Sequence, residues 1–170
     1  MEDKMIIDSK KNKAIIECIK EYMKQCPYLN ELSKINVDYL NMGDNDFEYW
    51  SLEKVEAPTI LGKNVLGTKT ERQCQFIIAS RSFFNPLVDT QNIENLNLFE
   101  KIEEWFFQNT KKGILPILNE GEIATSIEAT SPGYLYGTNK ENTLARYQMS
   151  CKLLYEKKEG NIYGFKSITR

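Results

Sequence analysis

With 170 residues the chain is one domain's worth, long enough to bury roughly 70% of the surface its unfolded form exposes, so no disulfide or metal staple is needed. Net charge is −2, which builds no field able to hold a nucleic-acid backbone and argues against sequence-specific DNA or RNA binding. Histidine is absent, which removes the commonest general base, the commonest metal ligand and every Ser-His or Cys-His nucleophile arrangement.

In chain order, Asp8 or Ser9 is an expected N-cap for a first helix whose apolar residues Ile15, Ile16, Ile19, Tyr22, Met23 and Cys26 recur at helical spacing, with Pro27 ending it. Ile35 to Tyr39 alternates as a short strand, Asn41 to Asn45 is turn chemistry, and Phe47 to Leu52 reads as a second strand, so the two are expected to pair as a hairpin. Ala57 to Thr68 mixes Pro and Gly with an apolar tip, as an exposed loop or a projecting hairpin arm would; apolar residues exposed there would ask for a partner. Thr70 to Arg81 begins half-apolar and becomes apolar on both faces from Phe76 to Ala79, the pattern of a central strand with a helix over at least one face.

A longer helix is expected from about Leu87 to Lys112, with Ile93, Leu96, Phe99, Ile102 and Phe106 as its stripe and Gly113 as its C-cap. Ile123 to Ala129 reads as a further strand. After the Gly133-Tyr134-Leu135-Tyr136 turn comes the longest alternating run, Leu144 to Tyr155, with Ala145, Tyr147, Met149, Cys151, Leu153 and Tyr155 on one face and Arg146, Gln148, Ser150 and Lys152 on the other. The expected order is helix, hairpin, strand, helix, strand, strand. The fold class is α+β, a mostly antiparallel sheet with two helices packed on it. No internal repeat or linker divides the chain, so residues 1–170 form one domain, with a core from about 14 to 156 and a C-terminal tail from Lys157 to Arg170.

The chain has no apolar run long enough to span a membrane and no apolar stretch behind its N-terminal charges, so neither membrane insertion nor export is expected. Cys18, Cys26, Cys74 and Cys151 are scattered, as reduced core residues are. Gly62 to Thr70 superficially resembles a phosphate-binding loop, but Thr68 stands where the lysine should and a strand follows where a helix should. Glu103 and Glu104 are adjacent on a helix and point about 100° apart, a solvated pair rather than a metal or acid-base site. Glu120 and Glu122 flank Gly121 and read the same way. No catalytic set, cofactor or metal is expected. Arg72, Arg81 and Arg146 lie on strands, where they pair with carboxylates of this chain or of a neighbour; Trp50, Tyr134, Tyr136 and Tyr147 read as core or interface aromatics.

Arg72-Gln73-x-x-Phe76, Ser80-Arg81, Gln91-Asn92-Ile93-Glu94-Asn95, Phe99-Glu100-x-x-x-x-Trp105, Leu115-Pro116, Ile127-Glu128-Ala129, Gly133-Tyr134-Leu135 and Ala145-Arg146-Tyr147-Gln148 occur in this order. Together they resemble a family from prophages of low-GC Gram-positive bacteria, whose members are called minor capsid or tail terminator proteins and sometimes chloramphenicol resistance proteins. The resemblance covers about residues 14 to 156. Chloramphenicol acetylation uses a catalytic histidine that this chain lacks, and its Lys-, Asn- and Ile-rich composition suits an AT-rich clostridial host.

The resemblance implies a non-enzymatic virion component: a small α+β protein, assembled in the bacterial cytoplasm, that forms a six-fold ring on the last ring of a tail tube and stops polymerisation. Its implied partners are further copies of itself, the tail tube protein, the sheath protein of a contractile tail and, in a phage, the head-tail connector, with DNA passing through the lumen. In a headless R-type bacteriocin the same ring is the collar cap. Another neck protein of the same particle, or a small cytosolic ligand-binding domain or enzyme, are the alternatives. Strand addition between neighbours would place ring and tube contacts on Leu61, Val65, Leu66, Arg72, Arg146, Gln148 and Lys152.

Overall fold

The computed structural model describes residues 12–29, 34–40 and 49–160. Their elements run α1 (Ile15–Met23), β1 (Lys34–Val37), β2 (Tyr49–Lys54), β3 (Ile60–Lys63), β4 (Lys69–Phe83), α2 (Asp89–Lys112), β5 (Glu122–Ala129), β6 (Tyr134–Thr138) and β7 (Leu144–Lys158). The class is α+β, with both helices packed on a mostly antiparallel sheet that has seven strands among the described residues.

The spine of the sheet is β4 paired antiparallel with β7 over its whole length, from Lys69 opposite Lys158 to Phe83 opposite Leu144. The free edge of β4 carries β3 and β2 end to end, and that of β7 carries β5 and β6. Alternation decides what each strand buries. Cys74, Phe76 and Ile78 of β4 and Ala145 to Tyr155 at every second position of β7 join Ile19, Tyr22 and Met23 of α1 and Phe99, Ile102 and Phe106 of α2 in one core, so both helices cover the same face. Each fully buried large side chain there contributes roughly 1.5–3 kcal/mol. Tyr22 Oη donates to the Ile114 carbonyl at 3.1 Å and accepts from Asn109 Nδ2 at 2.9 Å, tying α1 to the C-terminus of α2.

Several expectations are corrected. β1 and β2 pair parallel, Lys34 opposite Tyr49 through Val37 opposite Leu52, and not as a hairpin; the link between them is longer than the two to five residues of a hairpin loop. Part of that link, including the expected Asn41 to Asn45 turn, lies outside the described residues, as do Asp8, Ser9 and the tail beyond Gly160. The first helix starts at Ile15 behind Ala14, which offers no side-chain cap. In α2 packing on the apolar core begins at Leu96, and Ile93 is 55% exposed. Gly113 closes α2 at φ 70°, the left-handed cap expected. Tyr134 to Tyr136 belong to a strand, β6, and the turn follows them.

The expectation of no internal repeat is also overturned. β2–β3–β4 and β5–β6–β7 share one strand order and, at an offset of 75 residues, one register, as from Asn64 to Asn139, except at a bulge at Thr125 of β5 that β2 lacks. Lys54 opposite Phe76 answers to Ala129 opposite Cys151, Ile60 opposite Arg72 to Leu135 opposite Tyr147, and Gly62 opposite Glu71 to Gly137 opposite Arg146. The bulges of β3 and β6, at Leu61 and Tyr136, coincide. Each half follows a helix, and an approximate two-fold axis through the β4–β7 pair relates them. The matching residues, Ser51/Ser126, Glu53/Glu128, Gly62/Gly137, Asn64/Asn139, Thr68/Thr143 and Gln73/Gln148, are too dispersed to announce themselves as a repeat.

Candidate interaction surface

The sheet face away from the helices carries a continuous polar network. Arg146 Nη2 donates to Glu53 Oε2 at 2.7 Å and its Nε donates to Gln148 Oε1 at 3.0 Å. Gln148 Nε2 donates to Tyr134 Oη at 2.6 Å, Ser51 Oγ donates to the other oxygen of Glu53 at 2.8 Å, and the Tyr136 ring lies 5.2 Å from the Arg146 guanidinium. Lys152 pairs with Glu128 at 2.8 Å. The side chains of Arg146 and Glu53 are each 24% exposed, so the pair is shielded enough that removing one partner strands the other. Arg146, Gln148 and Lys152 are thus brought to one face, each engaged within the chain, and the network fastens β2, β6 and β7 together.

Arg72 lies elsewhere. Its strand position faces Tyr155 on the helix-bearing side, where Nη2 donates to Glu159 Oε1 at 2.7 Å and Nε to Thr70 Oγ1 at 2.9 Å. Hydrogen bonds from Thr70 and then Arg72 hold the Glu159 carboxyl below its ordinary range.

Leu61, Val65 and Leu66 sit on the β3–β4 hairpin, which resolves the loop-or-arm alternative in favour of the arm. Val65 is 104% and Leu66 79% exposed, so none of the described residues shields its tip. The turn is nevertheless well fastened. Asn64 Oδ1 accepts from the Lys69 amide at 2.9 Å, Asn64 Nδ2 donates to Thr68 Oγ1 at 2.9 Å, and Gly67 takes a left-handed φ of 66°. The β6–β7 turn repeats this device: Asn139 Oδ1 accepts from the Thr143 and Leu144 amides at 2.9 and 3.0 Å, Asn139 Nδ2 donates to Thr143 Oγ1 at 3.0 Å, and Asn142 takes φ 53°. Beside it Tyr134, Leu135 and Tyr136 are exposed. Trp50 and Tyr147, by contrast, are core residues.

Burial raises the pKa of all four cysteine thiols, Cys151 most strongly, and holds them protonated. Among the described residues no group of three or more carboxylates and thiols is placed to hold a metal. Glu103 and Glu104 are exposed, and Glu122 is engaged by Asn119 and Lys157. The Gly62 to Thr70 stretch is an antiparallel hairpin running into β4, without the strand-then-helix setting a phosphate loop requires. No helix of the described residues is long and apolar enough to cross a membrane. Glu53, Glu71 and the paired Asn-x-x-x-Thr turns were not singled out from sequence; the repeated Gly-x-Asn-x-x-(Gly/Asn)-Thr pattern is the signal that would have found the turns.

No protein-family model matches the chain, and no curated protein matches it.

Proposed function

We propose that this chain is a structural protein, a tail terminator that forms a hexameric ring on the end of the tail tube and uppermost sheath of a contractile phage tail or R-type bacteriocin. The observation that carries the reading is a fastened, two-helix sheet whose exposed apolar residues Ile60, Leu61, Val65 and Leu66 project on a hairpin arm that the other described residues leave open. Such an arm suits assembly, and the resemblance of the ordered short motifs to the tail terminator family is what points the reading to this assembly. A polymer tube ends in unpaired subunit interfaces, and a ring that satisfies them below without repeating them above halts growth. Its partners on this reading are its own copies, the tube protein, the sheath protein and, in a phage, the head-tail connector. The protein would be made in the bacterial cytoplasm and end in the particle.

Electron microscopy of particles from a producing strain with the gene deleted and then restored tests this. Overlong, uncapped tubes corrected on restoration are expected; finished tails of normal length in the deletion would reject termination. Finished tails that fail to join heads would favour the second reading, another neck component, for which the same exposed arm would meet a portal or adaptor.

A further inference from the structure

We propose that Thr110 and the bulge at Thr125 keep the outer edge of β5 shut against an added parallel strand, of the kind that the equivalent edge of the first half accepts. The device stands independently of the tail reading and holds whatever the chain assembles with.

Strand addition needs outward-pointing amides and carbonyls in unbroken register. β2 supplies them. Its register on β4 runs without a shift from Tyr49 to Lys54, and along its outer edge β1 pairs in parallel, with Val37 opposite Leu52. The Asp38 amide donates to the Leu52 carbonyl at 2.9 Å, and Asp38 Oδ1 accepts from the Lys54 amide at 2.9 Å, so the cover continues past the end of the strand.

Ile127 is the counterpart of Leu52 in the repeat, and its amide and carbonyl also point away from the spine. No further strand pairs there among the described residues. Instead Thr110, in the last turn of α2, meets both groups with one hydroxyl: Oγ1 donates to the Ile127 carbonyl at 2.9 Å and accepts from the Ile127 amide at 3.2 Å. β5 also carries Thr125 as an extra residue between Ala124, opposite Tyr155, and Ser126, opposite Leu154. Such a bulge interrupts the row of outward groups and twists the edge away from a flat partner. It adds nothing to the core, since Thr125 is exposed while Ala124 and Ile127 on either side of it pack inward. β2 has neither feature and takes a strand; β5 has both and, among the described residues, takes none.

The repeat also says which strand fits. This chain covers the Leu52 edge with β1 and Asp38, so the occupant kept out is the β1 segment of a second copy, exchanged between chains. Sheets of neighbouring copies are thereby kept from merging through β5, and assembly is left to other surfaces.

The test measures, by fluorescence anisotropy, binding of a labelled peptide of the sequence Lys34–Leu40 to the full chain, to Thr110→Val, to a chain lacking Thr125 and to the two changes combined. The combined variant should bind about tenfold more tightly than the unaltered chain and the single variants in between, while Thr110→Ser, which keeps the hydroxyl, should match the unaltered chain. Asn36→Pro in the peptide should abolish binding, because Asn36 points the same way as Asp38 and would lose its ladder amide. Hydrogen exchange reads the latch by itself: in Thr110→Val the rate at the Ile127 amide should rise about tenfold relative to that at Met149 on the spine. Equal binding by the unaltered chain and the combined variant, no binding by any variant, binding indifferent to Asn36→Pro, or equal rises at Ile127 and Met149 would each overturn the proposal. Each single variant is compared with the unaltered chain in its own right, so a combined variant that does not fold leaves the test in force. Tail lengths in the gene deletion bear on the terminator reading alone.

Discussion

The β3–β4 and β6–β7 hairpins turn on one backbone device, yet the first carries Val65 and Leu66 at its tip where the second carries Lys140 and Glu141. The shared residues, Gly62/Gly137, Asn64/Asn139 and Thr68/Thr143, are those the turn geometry needs, together with a left-handed residue at Gly67 or Asn142. The tip residues are not needed by the geometry, so they were free to diverge. A charged tip is what solvation favours, and on the proposed function the fully exposed apolar tip is a contact. Comparing the halves therefore separates the residues the turn geometry requires from those it does not.

The largest break in the comparison lies at Gly133, the counterpart of Pro58. A Cβ at Gly133 would run into Cβ and Cγ of Phe99, a fully buried side chain on α2. Gly133→Ala is expected to lower stability by about 2–3 kcal/mol in urea denaturation. Pro58 is exposed, and Pro58→Ala should cost less than about 1 kcal/mol, chiefly through the unfolded chain. Equal effects would mean that α2 can shift away from β6, and that the second half is no more tightly covered than the first.

Next come the turn asparagines. Asn139 Oδ1 accepts two amides, Asn64 Oδ1 only the Lys69 amide. Asn139→Ala should cost about 1.5 kcal/mol and Asn64→Ala about 1 kcal/mol. The reverse order would show that the apolar first turn leans on its asparagine more than the charged one does. At the left-handed positions Gly67→Ala should cost about 1 kcal/mol, while Asn142→Gly should leave stability within about 0.5 kcal/mol.

Much of this arrangement was legible in the sequence, for a physical reason: long elements repeat their period often enough to be read. Ala145 to Tyr155 alternates through six buried positions, and Phe99, Ile102 and Phe106 recur at helical spacing over a covered face. Short elements carry no such redundancy. β3 and β6 are interrupted by bulges at Leu61 and Tyr136, which break period two within a few residues, so neither announced itself as a strand. The parallel β1–β2 pair escaped because alternation specifies faces and says nothing of strand direction. At the interaction surface, sequence placed Arg146, Gln148 and Lys152 on one face, but the partners Glu53 and Glu128 come from other strands and only the register shows them. Arg72 shares their residue type and not their face, because its position on β4 lies opposite Tyr155.

The smallest effect concerns how the two hairpins hold their arginines. Arg146 finds Glu53 inside the sheet, whereas Arg72 is met by Glu159, just past the end of β7. Glu159 has its carboxyl held below the ordinary range, first by the Thr70 hydroxyl and then by Arg72, so its folded value lies under its unfolded value. Its contribution is therefore complete above that unfolded value and is lost as pH falls through the lower folded value. A carboxyl titration by NMR should show a depressed Glu159 midpoint that moves upward in Thr70→Val and, to a lesser degree, in Arg72→Ala. An ordinary midpoint in the unaltered protein would mean that the chain after β7 does not clamp the β3–β4 hairpin in solution. The arm would then be steadied by its Asn64 turn alone.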